Sequence, residues 1–82
     1  MNRENVLNAV QEIFRDVFDD QELLIHDETN AEHIEDWDSL AQISLVSAIE
    51  KEFSVRFALG ELAALKNVGD MLSLIVDKII SQ

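Results

Sequence analysis

The chain has 82 residues, no cysteine and a formal net charge of −11 at pH 7. This length gives one small domain over residues 1–82 without room for a closed enzyme active site, and the lack of cysteine excludes disulfides, thiolate metal sites and a thiol of the chain's own. Because no apolar segment could span a bilayer or serve as a signal, the sequence predicts a soluble cytoplasmic protein. The charge repels nucleic acid and anionic lipid, so neither is an expected partner, and the chain is expected to be a monomer.

The first predicted element is a helix that begins at a possible Asn2 cap and ends near Asp19-Asp20. Its apolar residues recur at helical steps, at Val6, Val10, Ile13, Phe14, Val17 and Phe18. A long connection over residues 21–38 follows, with one helical turn predicted near Leu23 to Ile25. Several apolar side chains are expected to pin this connection across the bundle, among Leu23, Leu24, Ile25, Ala31, Ile34 and Trp37.

The second predicted helix runs from about Leu40 to Phe53 and carries two apolar strips. The first strip, predicted to be core, consists of Leu45, Val46, Ile49 and Phe53. The second strip lies a quarter turn or more away and consists of Leu40, Ile43 and the small Ser47. Since the second strip has no core to face, it is predicted to be a contact surface.

Beyond Phe53 the alternation of apolar and polar residues through Phe57 resembles a strand, but a lone strand is not stable, so an extended loop is predicted. Glu61 to Leu65 is predicted to form a short third helix after a break at Gly60.

The last predicted helix follows a plausible cap at Asn67, with Asp70 three residues on. Its inward residues are predicted to be Val68, Met71, Leu72, Ile75, Ile79 and Ile80. The predicted fold class is therefore all-α, a small four-helix bundle with three longer helices, one short third helix and a long first loop.

Ser39 precedes the second helix, where backbone N–H groups lack intrahelical partners and the macrodipole is positive. A phosphate attached there would be well placed. The alternative is structural, because Ser39 and Gln42 match an S-x-x-Q capping box in which the serine only starts the helix.

The run Trp37-Asp38-Ser39-Leu40 is followed by Ile43, Leu45, Ile49-Glu50, Glu52-Phe53, Val55 and Phe57. It resembles the Asp-Ser-Leu helix of acyl carrier proteins, and the likeness extends to length, acidity and helix spacing. The resemblance implies that a phosphopantetheinyl transferase attaches phosphopantetheine to Ser39. It also implies a carrier, not an enzyme, whose arm holds acyl groups as thioesters.

Eleven acids and no Lys or Arg lie between Asp16 and Glu50. Their field would steer proteins with basic patches toward Ser39. The expected partners are acyl-transferring, ligase or synthase enzymes with basic docking patches. The residues predicted for partner recognition are Asp36, Trp37, Asp38, Leu40, Ile43, Ser47 and Glu50.

The pathway and cargo stay open. Ala41 and Ser44 stand where fatty-acid carriers commonly have acids, so a specialised stand-alone bacterial carrier, for a polyketide or another pathway, is at least as strongly expected as a fatty-acid carrier. A peptidyl or aminoacyl carrier would use the same serine. An acidic helical module that binds its partner without a covalent arm would use Ser39 only as a cap.

Other chemistry is poorly supported. His26 and His33 have a spacing that fits no recognised metal site, and the window from Asp27 to Asp38 lacks the glycine and bidentate glutamate of an EF-hand. A hydrolase built on Ser39 would need a Gly-rich oxyanion loop that the sequence lacks. No metal site is therefore predicted.

Overall fold

In the computed structural model, which describes residues 2–81, four helices follow one another along the chain. They are α1 at Arg3–Val17, α2 at Ser39–Phe53, α3 at Leu59–Ala63 and α4 at Val68–Ser81. No strand occurs in this part of the chain. The predicted all-α bundle of three longer helices, a short third helix and a long first loop is confirmed.

The core lies where α1 packs against both α2 and α4. Its buried apolar residues are Val6, Val10, Ile13, Phe14, Ile25, Leu45, Ile49, Phe53, Val55, Val68, Met71, Leu72 and Ile75. One inward prediction for α4 is wrong, because Ile80 is 75% exposed. Ile80 lies five residues beyond Ile75, outside the three- and four-residue steps that keep a side chain on the buried face.

α1 begins as predicted, since Asn2 Oδ1 accepts the Asn5 N–H at 2.8 Å. It ends at Val17, two residues before the predicted end. Asp19 has a φ of 51°, which is left-handed backbone and cannot continue the helix.

The helical turn predicted near Leu23 to Ile25 is wrong, and side chains of α1 explain why. Gln11 Oε1 accepts the Ile25 N–H at 3.0 Å, and Arg15 Nε donates to the Leu23 carbonyl oxygen at 2.8 Å. These loop groups therefore bond to α1 instead of to each other. Ile25 is buried by this arrangement, whereas Leu24 and Ala31 are exposed and do not pin the loop.

α3 begins two residues earlier than predicted, so Gly60 lies inside the helix and not before it. Glu61 decides this start, because its Oε1 accepts the Ala58 N–H at 2.8 Å and contacts Lys78 Nζ at 2.8 Å. The Ala58 N–H, followed by Lys78, lowers the pKa of Glu61 below its usual value. Because the pKa of Glu61 is lower in the folded state, the ionised Glu61 carboxylate stabilises the fold above the usual carboxylate pKa. This stabilisation is lost as the pH falls through the lowered pKa.

The cap predicted for α4 is confirmed, since Asn67 Oδ1 accepts the Asp70 N–H at 2.8 Å. The first N–H groups of α4 bond to the long loop. Val68 donates to the Thr29 carbonyl oxygen and Gly69 to the Asp27 carbonyl oxygen, both at 2.8 Å. The loop is thereby tied to the start of α4.

Gly69→Ala tests this close approach, because an added Cβ would lie 3.1 Å from the Asp27 carbonyl oxygen, which the Gly69 N–H holds in place. We expect the crowding to exceed the gain in helix propensity and to lower the free energy of unfolding by about 1 kcal/mol. The matched control is Gly60→Ala, since nothing lies within 4 Å of its added Cβ. Denaturant unfolding should show Gly60→Ala raising the stability by about 0.5–1 kcal/mol. An equal gain in the free energy of unfolding in both variants would show that the Asp27 backbone moves away from the added Cβ.

Candidate functional site

Ser39 is the first residue of α2, and its side chain is exposed. The residue before it caps the helix, since Asp38 Oδ1 accepts the Ala41 N–H at 2.9 Å and the Asp38 carbonyl oxygen accepts the Gln42 N–H at 2.9 Å. The capping-box alternative for Ser39 is therefore wrong. Within residues 2–81 the Ser39 hydroxyl has no hydrogen-bond partner, which leaves it open to an incoming reactant.

Trp37 ends the long loop and is held by contacts inside the molecule. Its indole Nε1–H donates to Gln42 Oε1 at 2.7 Å. Its ring meets the buried Phe14 ring edge-on, with 5.2 Å between centroids, and the Phe18 ring lies 6.3 Å away. Trp37 thereby fixes the backbone that leads into Ser39. Its part in partner recognition stays a prediction, now for a half-buried side chain.

The two strips of α2 differ in exposure. The core strip is buried along its whole length, at Leu45, Val46, Ile49 and Phe53. On the second strip, Leu40 is 75% exposed, Ile43 is 63% exposed and Ser47 is exposed. The second strip is therefore exposed and begins at the residue after Ser39, and its role as a contact surface stays a prediction.

The acids predicted for recognition take different positions. Asp36 and Asp38 are exposed on either side of Trp37. Glu50 is half-buried, and its Oε2 accepts the Phe57 N–H at 2.8 Å. Part of the Glu50 carboxylate thus orders the loop after α2, and its part in recognition stays a prediction.

Acidic side chains dominate the segment that contains Ser39. Of the eleven acids from Asp16 to Glu50, every one except Glu50 is exposed. Exposed charges interact over about 10 Å at moderate ionic strength, so the neighbouring carboxylates of Asp36 and Asp38 contribute to the potential beside Ser39. A basic protein surface would be attracted to it.

The two histidines stand apart from this site. Both are exposed on the long loop, and His33 Nδ1 accepts the Asn30 N–H at 3.2 Å. Among residues 2–81, no three His, Cys, Asp or Glu side chains form a group that could hold a metal ion. No helix in the same range has the length and apolar character needed to cross a membrane.

The residues at the start of α2 fit a phosphate ester on Ser39. The first helical N–H groups point out of the helix end, where the macrodipole favours an anion by about 0.3–1 kcal/mol. Asp38 uses one carboxylate oxygen on the Ala41 N–H, which leaves the Ser39 side chain outside the cap. The exposed hydroxyl can thus bear a bulky substituent without disturbing the helix.

A family model described as "Phosphopantetheine attachment site" matches residues 8–75 of the chain, a stretch that contains all of α2 and α3. A search of curated proteins finds no match.

Two solved structures are similar to this chain. The holo acyl carrier protein of Geobacter metallireducens is 44% identical, with a TM-score of 0.87, over 92% of this chain and 86% of that one. The acyl carrier protein of Thermotoga maritima is 22% identical, with a TM-score of 0.84, over 99% of this chain and 94% of that one. At that lower identity the second comparison bears on the fold alone.

Proposed function

This chain belongs to the acyl carrier protein family, and we propose that its phosphopantetheine arm is attached to Ser39 Oγ. A member of this family is a carrier and not an enzyme, and its prosthetic group is covalently bound phosphopantetheine. The observation that carries the proposal is the Ser39 hydroxyl itself, exposed at the first residue of α2 with no partner within residues 2–81. Asp38 performs the capping that would otherwise occupy it.

Ser39 Oγ acts as the nucleophile when the arm is transferred from coenzyme A by a dedicated transferase. A bond forms between Oγ and the phosphorus of the phosphopantetheine, and the pyrophosphate bond of coenzyme A breaks to release adenosine 3′,5′-bisphosphate. The Ser39 proton passes to a base of the transferase, so the carrier itself needs no catalytic base. Once attached, the arm supplies the thiol that the cysteine-free chain lacks, and this thiol holds an acyl group as a thioester.

Two opposing electrostatic effects act on the resulting phosphodiester at the start of α2. Its single negative charge is favoured by the helix N-terminus and opposed by the exposed carboxylates of Asp36 and Asp38. Because both effects act at the solvent-exposed surface, each is modest. The free access to Oγ therefore matters more for function than any preformed anion site.

Carriers of this family act with synthases, transferases and other enzymes. For this chain the proposed contact surface surrounds Ser39, with acids at Asp36 and Asp38 and apolar contact at Leu40 and Ile43. A partner with a basic rim and an apolar centre would match it. A cytoplasmic location and a monomeric state remain predictions from the sequence.

The cargo is proposed to be an acyl group of a fatty-acid, polyketide or other specialised pathway. Ala41 and Ser44 lie on the first turns of α2 and remove two charges from the surface that a fatty-acid enzyme would meet. Ser44 is exposed and Ala41 half-buried, so this difference from fatty-acid carriers lies where a partner would sense it. A peptidyl or aminoacyl cargo would use the same serine.

Incubation with coenzyme A and a broad-specificity phosphopantetheinyl transferase tests the proposal. We expect the intact mass to rise by one arm, and a parallel reaction without coenzyme A to leave it unchanged. A chain that stays folded but gains no mass would instead be an acidic interaction module without a covalent arm.

A further inference from the structure

A cleft of about 270 Å³ opens beside the first turns of α2. Mainly apolar side chains line it, among them Trp37 from the loop, Leu62 and Leu65 from the α3 region and Met71 from α4. Gln42 is the one α2 residue on its wall. Lys66 and Asn67 also line it, so the cleft is a small, mainly apolar space with the amides of Gln42 and Asn67 and one lysine among its lining residues.

The orientation of the Gln42 amide follows from its partner. An indole N–H can only donate, so the Trp37 bond of 2.7 Å requires the amide oxygen of Gln42 on that side. The amide NH₂ must therefore point away from the indole. Within residues 2–81 it has no hydrogen-bond partner, although it carries two donors. Phe14 and Phe18 hold the Trp37 ring, and this keeps the amide from turning over.

Gln42 is also close to the proposed attachment point. It lies three residues after Ser39 on α2, a rise of about 4.5 Å along the helix axis. Residues three apart are neighbours on a helix surface. An acyl group carried on Ser39 that folded back into the cleft would pass the Gln42 amide.

We propose that the Gln42 NH₂ group donates a hydrogen bond to an oxygen of the acyl cargo in this cleft. Gln42 is then a specificity-determining residue that favours a short acyl chain with a keto oxygen over an unsubstituted chain of the same length. The proposal rests on the proposed attachment at Ser39. The selection arises because water satisfies the half-exposed amide when the cleft is empty, whereas an alkyl chain would displace this water and leave two donors unpaired.

The expected discrimination is modest, because a neutral hydrogen bond at a partly open site contributes about 0.7–1.4 kcal/mol, which is roughly a three- to tenfold preference. Trp37, the only tryptophan, reports on the cleft from inside it. Its emission should shift to shorter wavelength when cargo replaces water beside the indole. Protection of the thioester from hydroxylamine gives a second measure of occupancy.

The experiment loads the whole chain from β-ketohexanoyl and hexanoyl coenzyme A with the transferase. We expect the β-ketohexanoyl thioester to be cleaved by hydroxylamine roughly three- to tenfold more slowly, after correction for the intrinsic rates of the two free thioesters. The Trp37 shift should also be larger for this cargo. Equal protection and equal emission for the two cargoes in the wild-type chain would overturn the proposal.

Two variants of Gln42 test whether its amide donates a hydrogen bond to the cargo or only accepts the bond from the Trp37 indole. Gln42→Glu keeps an oxygen for the indole but removes the NH₂, so the preference should disappear while the emission of the unloaded protein stays nearly unchanged. Gln42→Met removes both groups and should lose the preference as well. Ser44→Glu, at an exposed position of α2, adds the same charge as Gln42→Glu and should retain the preference. A preference that survives in Gln42→Glu would show that the amide donor is not its source.

The intact mass of each protein is measured before its rate of thioester cleavage. This measurement distinguishes a failure of the role of Gln42 from a failure of the attachment at Ser39. Loading of the wild-type chain but not of Ser39→Ala, with no cargo preference, would refute the role of Gln42 and leave Ser39 as the attachment point. Loading of Ser39→Ala would refute the attachment at Ser39, and Gln42 would then no longer be close to the arm.

Discussion

Ile49→Asp is expected to unfold most of the protein at room temperature. Ile49 is completely buried on the core strip of α2, in the hydrophobic cluster that α1, α2 and α4 share. The substitution removes about 1.5–3 kcal/mol of apolar burial and places a carboxyl group without a partner in the core. The combined cost of several kcal/mol is comparable with the 5–15 kcal/mol stability of a typical domain. Circular dichroism should show a large loss of helix signal.

Ile43→Asp is the matched control, since it makes the same change on the same helix at a side chain that is 63% exposed. Its circular dichroism spectrum and melting temperature should stay close to those of the unchanged protein. Arm transfer should nevertheless slow, because apolar contact is lost and a like charge is added to a negative surface. If Ile43→Asp unfolded the chain and Ile49→Asp did not, the assignment of the two strips would be reversed.

Ser39→Ala is expected to abolish arm transfer and leave the fold intact. Asp38 caps α2, so removal of the Ser39 hydroxyl takes away no capping bond, and alanine is a good helix former. The melting temperature should therefore stay the same or rise slightly. If Ser39 were the cap, the same substitution would cost about 0.5–2 kcal/mol, and that cost is instead expected for Asp38→Ala.

Ser44→Ala is the control for this loss. Ser44 is an exposed serine on the same helix, so Ser44→Ala also removes one exposed hydroxyl from α2. Arm addition to this variant should reach the normal extent. Arm addition to Ser39→Ala at the wild-type extent would contradict the assignment of Ser39.

The bundle could be predicted because its strongest signals are local. The three- and four-residue steps of α2 separated Ile49 from Ile43 correctly, and the Asn2 and Asn67 caps were found from their residue types. The start of α2 was harder to predict. Asp38 and Ser39 are both good capping residues in adjacent positions, and periodicity cannot decide between neighbours.

The errors came from contacts that no local pattern records. The loop at Leu23 to Ile25 is set by side chains of Gln11 and Arg15, more than a helical turn away in sequence. The early start of α3 involves Glu61, whose carboxylate is also held by Lys78 of α4, far along the chain.

The role of Gln42 could not be found in the sequence either. A tryptophan followed five residues later by a glutamine is not a recognised motif, and the Trp37 ring beside Gln42 is also held by Phe14 and Phe18 of another part of the chain. The burial of Thr29 could not be predicted either, because its carbonyl oxygen accepts the N–H of Val68, a residue far away in the sequence.

The hydroxyl of Ser39 is proposed to bear the arm. The most direct measurement is a fragmentation mass spectrum of the protein after reaction with coenzyme A and the transferase. The chain offers six serines and one threonine, and two of the other serines, Ser44 and Ser47, lie on the same helix as Ser39. Fragments that place the whole added mass on Ser39 are the predicted result, and added mass on any other residue would contradict it.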